Sequence, residues 1–118
     1  MTQLDQIARH GTRDANFSRE GKPKSHIVCA DGFKVSVIAG WGAYCYPRPD
    51  LGETGPPCDY EGPYFEVEVG FPTERPEPWE EWEDYQDGSG DPVKSVYGYV
   101  PIAVVEALIE AHGGEARR

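Results

Sequence analysis

Apolar and polar positions alternate most cleanly between Tyr64 and Phe71, where Phe65, Val67, Val69 and Phe71 fall on one face and Glu66, Glu68 and Gly70 on the other. A period of two is the pattern of a half-buried strand, and Pro72 stops it. Two further apolar runs, Ile27 to Ala30 and Phe33 to Ile38, flank Asp31-Gly32, a pair that favours a tight hairpin turn. A two-residue loop there sets Ala30 against Phe33 and Val28 against Val35. That register predicts Val28, Ala30, Phe33, Val35 and Val37 on one face and Ile27, Cys29, Lys34 and Ser36 on the other. Val96 to Val100 predicts a last strand, and Pro101 then opens a helix over Ile102 to His112 that Gly113 ends. Ile102, Val105, Leu108, Ile109 and His112 form its apolar stripe, with Glu106 and Glu110 outside. The expected fold is α+β: a small antiparallel sheet of three or four strands with an N-terminal hairpin, packed by one C-terminal helix and joined by long Pro/Gly-rich loops.

The stretches between these elements are polar or broken. Residues 1–25 hold one amphipathic turn, at Leu4, Ile7 and Ala8, and carry Arg9, Arg13, Arg19, Lys22 and Lys24 against three acids, so they predict a flexible basic arm. Residues 26–118 then form a single acidic domain, as a chain of 118 residues favours. From Gly40 to Pro63, five glycines and five prolines exclude regular structure over most of the segment, while Trp41, Tyr44, Tyr46 and Tyr60 predict an ordered, packed loop. Past Pro72, Pro76 and Pro78, the aromatics Trp79, Trp82 and Tyr85 recur every three residues. They predict one or two helical turns with rings on one face and carboxylates on the other.

Charge changes this picture by its placement. The net charge is −10, and residues 50–92 hold fourteen acids against one base, Arg75. Such a chain repels a phosphate backbone, which excludes direct nucleic-acid binding, and a leader or membrane span is not expected from its polar N-terminus and short apolar runs. Acids confined to one region add their potentials within a screening length of about 8 Å. An exposed solubilising surface explains part of the block, but mixed signs serve solubility better.

Catalytic patterns are not evident. Neither a Gly-x-Ser-x-Gly elbow nor a phosphate loop is present, since Gly88-Ser89-Gly90 lacks a lysine and sits between Asp87 and Asp91. His10 lies in the arm and His112 at a helix end, where a capping contact accounts for it. Cys29, Cys45 and Cys58 with His26 have some zinc-like spacing, but no Cys-x-x-Cys anchors a site, and His26 and Cys29 on one strand point to opposite faces. A Cys45–Cys58 disulfide has equally little support. The residues call for no enzyme, cofactor or metal, and the cysteine reading stays open only as a small zinc-binding regulator.

Gly62-Pro63-Tyr64, Val67-Glu68-Val69-Gly70-Phe71-Pro72, Val96-Tyr97-Gly98-Tyr99-Val100-Pro101, Val104-Val105 and His112-Gly113-Gly114 carry a resemblance. From about Val28 onward the chain resembles small proteins of unknown function encoded by tailed phages and prophages. By analogy with anti-CRISPR proteins that mimic nucleic acid, the resemblance implies a non-enzymatic viral inhibitor acting in the host cell cytoplasm. Its expected partner is a basic DNA-binding surface of a CRISPR surveillance complex or another host defence protein. The candidate partner-binding residues are Glu66, Glu68, Glu74, Glu77, Glu80, Glu81, Glu83, Asp84 and Asp87, with Trp79, Trp82 and Tyr85, where exposed, as aromatic anchors. The alternative is a phage virion or assembly accessory that docks through Trp41, Tyr44, Tyr46 and the proline-rich loop.

Overall fold

In the computed structural model, which describes residues 2–12, 25–57, 60–88 and 90–116, the apolar alternation becomes four antiparallel strands. They are β1 (His26–Val28), β2 (Lys34–Ile38), β3 (Glu66–Gly70) and β4 (Val96–Pro101), hydrogen-bonded in that order. Three helices accompany them: α1 (Gln3–His10), the single turn α2 (Trp79–Trp82) and α3 (Ile102–Ala111). The fold is α+β, with a C-terminal helix on a four-stranded antiparallel sheet. Ile27, Val35, Val37, Val67, Val69, Tyr97 and Val100 from the sheet join Val105, Leu108 and Ile109 of α3 in one core.

The hairpin forms where Asp31-Gly32 places it, but with a three-residue loop. Cys29 N–H donates to the Phe33 carbonyl at 2.7 Å, and Gly32 N–H donates to the Cys29 carbonyl at 2.9 Å. Gly32 takes φ +95°, and Asp31 Oδ1 accepts the Phe33 N–H at 2.9 Å. The register therefore pairs Val28 with Lys34 and Ile27 with Val35. One residue of slip turns β1 over, so the face expected for it is corrected: Ile27 and Cys29 are buried, and Val28 is 38% exposed. The β3 alternation holds at Val67 and Val69 but not at its ends, where Phe65 and Phe71 lie outside the core at 58% and 60% exposed. Phe65 precedes the ladder and bonds to Tyr46, and Phe71 leaves it at φ +50°.

Residues 3–10, expected to be part of a flexible arm, fold as α1; the arm's residues 13–24 lie outside the described residues. A helix exposes unpaired N–H groups in its first turn, and here each finds an acceptor. Thr2 Oγ1 accepts from Asp5 N–H at 3.0 Å while Asp5 accepts from Thr2 N–H at 3.1 Å, a capping box. The Glu115 carboxylate accepts from Gln3 N–H at 2.7 Å and Leu4 N–H at 3.0 Å, and the Thr2 carbonyl takes Gln6 N–H. Leu4 and Ile7, the expected amphipathic turn, are buried in the core.

Both outer strands are covered. Residues 114–116 run beside β1, with Ala30 N–H donating to Gly114 and Ala116 N–H to Val28. Gln86 bridges Tyr97, and Asp87 N–H donates to Val96 on β4. Such short partners blunt a sheet edge against pairing with other chains.

Truncating Ile7 to Ala should lower unfolding free energy by about 2–5 kcal/mol in urea titrations, whereas a side chain on a disordered arm would change nothing. Glu115→Ala removes two helix-capping acceptors and should cost about 1–2 kcal/mol in the same assay.

Candidate partner-binding face

The acidic segment gains its shape from its rings. Trp82 is 1% exposed and packs edge-on against Tyr97 of β4, with ring centroids 5.5 Å apart. Trp79 meets the same ring edge-on at 6.3 Å, and Tyr85 follows in a 3₁₀ turn, Glu83–Tyr85, packed on Trp82. The spacing of three thus produces the expected two faces: rings inward, and Glu80, Glu81, Glu83 and Asp84 exposed. It also removes Trp82 from the surface, so Trp82 is a core residue and not an anchor for a partner. Trp79 is half-buried and carries the Arg75 guanidinium 5.6 Å from its centroid.

Two expected surface carboxylates have internal work. Glu77 accepts from Arg75 Nε at 2.7 Å and from Trp79 N–H at 3.2 Å, and the Arg75 bond holds its carboxyl below the usual range. Glu68 accepts the Tyr44 N–H at 3.0 Å and so fixes the loop to β3. Among the described residues, Glu66, Glu74, Glu80, Glu81, Glu83, Asp84 and Asp87 have no ion-pair partner. Part of this set converges: the Tyr85 phenol is pushed up first by burial and then by the negative charges of Glu81, Glu66 and Asp84.

A groove of about 300 Å³ opens beside this convergence, lined by Tyr44, Asp84, Tyr85, Gln86, Asp87, Gly98 and Tyr99. A bulge in β4 builds it. Val67 pairs with Val100 while Val69 pairs with Tyr97, so Gly98 and Tyr99 share one space in the ladder, with Tyr99 at φ +55°. A Cβ on Gly98 would lie 3.1 Å from the Tyr44 Cβ, so a side chain there would press Tyr44 away from the strand by a few tenths of an ångström. Tyr44 and Tyr99 stand 6.1 Å apart and are 39% and 41% exposed. Beside them Arg48 lies over the Tyr44 ring at 5.2 Å, donates to Tyr99 Oη, and grips Asp50 through two bonds of 2.8 and 3.1 Å. Tyr99, Arg48 and Gln86 were not candidates from sequence; the Tyr97-Gly98-Tyr99 string, with a glycine inside a strand, was the available signal.

The other chemistry-bearing groups lie elsewhere. His112 stacks on Phe33 at 3.9 Å and its Nδ1 bonds Asp31 Oδ2 at 2.7 Å, joining the end of α3 to the hairpin. Cys29 and Cys45 are free and buried; burial pushes the Cys29 thiol up to about 11 and raises Cys45, so both stay protonated near neutral pH. Cys58 lies outside the described residues, among which there is no group of three or more His, Cys, Asp or Glu placed to hold a metal ion. Among the same residues, no helix is long and apolar enough to cross a membrane. Compared with protein-family models, curated proteins and solved structures, the chain matches none.

Acid should weaken the hairpin junction together with the α1 cap and the Arg48–Asp50 pair. Asp31 is held below the ordinary carboxyl range by the Phe33 N–H and then by His112, Asp5 by the Thr2 cap and Asp50 by Arg48. A folded-state pKa below the unfolded one gives stability that is present above the unfolded value, about 3.9, and lost as pH falls through the folded value. Urea midpoints should therefore drop below about pH 4, and Asp31→Asn should narrow its deficit to wild type there; a deficit that widens on acidification would contradict the assignment.

Proposed function

We propose that this protein is a phage-encoded inhibitor without catalytic activity, which occupies a basic nucleic-acid-binding surface of a host defence complex in place of DNA. The observation that carries the reading is the set of exposed carboxylates on and around α2, unpaired among the described residues and held outward by the buried Trp82 and the half-buried Trp79 and Tyr85. Glu66 and Glu68, on one face of β3, stand about 6.7 Å apart, of the order of the phosphate spacing along a strand. Glu66, Glu74, Glu80, Glu81, Glu83, Asp84 and Asp87 carry the charge in this reading; Glu68 and Glu77 help to build the face. The phage origin and the cytoplasmic site of action come with the resemblance, and the anti-CRISPR role is its finer form.

The test is capture from host lysate on immobilised protein. The captured complex should elute with duplex DNA and with rising salt. Glu80→Lys, Glu81→Lys and Glu83→Lys together should weaken capture by at least about tenfold, and Glu106→Lys with Glu110→Lys much less. Salt-independent capture, or equal loss from both variants, would sink the proposal. A second reading, an accessory that docks on phage particles through the proline-rich loop, is favoured by Trp41 and Tyr46 at 46% and 58% exposed. Co-purification with particles after loss of the acidic face would select it.

A further inference from the structure

We infer that the groove between Tyr44, Tyr85 and Tyr99 receives an arginine side chain from a protein partner, the rings covering its guanidinium and Asp84 and Asp87 supplying the counter-charge. Three aromatic rings and two carboxylates line one depression of about 300 Å³, floored by the backbone at Gly98. Tyrosine faces carry negative potential and attract cations, and neither aspartate has an ion-pair partner among the described residues. Glu66 and Glu81 add to the field that Tyr85 experiences. An anion is thereby repelled, and no ligand set for a metal ion is present among the described residues.

A planar, forked cation suits this lining better than a compact ammonium, because it stacks and bonds a carboxylate at the same time. The protein shows that chemistry within itself. The Arg48 guanidinium lies over Tyr44 and grips Asp50 with two bonds, and that pairing leaves the charge of Asp84 and Asp87 uncancelled. The bulge holds Tyr99 at φ +55°, a costly conformation, and leaves the residue 41% exposed beside the carboxylates.

The inference rests on the reading of this face as a partner surface and names the group it takes. Its test is a ¹H–¹⁵N shift titration of the full chain with acetyl-Gly-Arg-Gly-amide and with the twin peptide that carries neutral citrulline. The arginine peptide should move the amides of Tyr44, Tyr85, Gln86, Gly98 and Tyr99. The citrulline peptide should bind at least about tenfold more weakly, and Asp84→Asn with Asp87→Asn should weaken arginine binding by a similar factor while the spectrum stays dispersed. Glu80→Gln with Glu83→Gln should leave it within about twofold, since those groups lie outside the groove and are screened from it. Equal binding of the two peptides, shifts centred elsewhere, or an unaffected aspartate variant would overturn it. Capture of a DNA-displaceable partner with no groove response would end this inference alone; a groove response without such a partner would end the broader proposal alone.

Discussion

The acidic face exists because Trp82 is buried against Tyr97. The segment around it carries carboxylates at 80, 81, 83 and 84, which repel one another and give the chain no reason to compact. What opposes that repulsion is aromatic area: Trp82 in the core, Trp79 and Tyr85 half-buried around it, each edge-on pair contributing about 0.5–1.5 kcal/mol beyond burial. The Tyr97 hydroxyl is tied to the Pro92 carbonyl at 2.7 Å, so the anchor of the acidic turn is itself fixed. Charge is displayed outward because hydrophobic surface is removed inward, on the same turn.

That anchor depends in turn on a sheet closed on both sides. The Asp87 bond to Val96 extends the acidic turn into the β4 edge, so the segment that bears the charge also covers the strand that positions it. At the far edge, Glu115 does two things at once. Its backbone bridges Cys29, and its carboxylate caps α1, bringing a stretch near each end of the chain into one cluster of hydrogen bonds. A small sheet with a modest core gains from both arrangements, because neither edge is left as a template for another chain.

What the sequence made legible follows the physics of period and spacing. The central alternation of β3 at Val67 and Val69, the stripe of Val105, Leu108 and Ile109, and the rings at 79, 82 and 85 are local patterns, and the structure reproduces them. The errors lie where a non-local or backbone choice decides. Whether Asp31-Gly32 closes a two- or three-residue loop depends on Gly32 taking a left-handed conformation at the last loop position, and that single residue reverses β1. The order of α1 depends on an acceptor more than a hundred residues away, Glu115, which no window around Leu4 and Ile7 contains. The burial of Trp82 needs Tyr97 beside it, and the groove needs a bulge that sets Tyr99 against Tyr44; sequence offers only a glycine in a strand as a sign of that.

The two parts of the proposed surface differ in what each can contribute. Exposed carboxylates such as Glu80, Glu81 and Glu83 interact across water and salt, so each adds little affinity but together they raise the rate of encounter with a basic partner. The groove is the opposite case. Its rings are held by Glu68 on the Tyr44 backbone, by the bulge under Tyr99 and by Trp82 behind Tyr85, so little side-chain freedom is left to lose when a partner group enters. A face built only from charge would select any polycation, whereas a fixed slot with aromatic walls selects by shape as well. On this reading the outer carboxylates set how fast a cationic partner arrives, and the tyrosines beside β4 set which one stays.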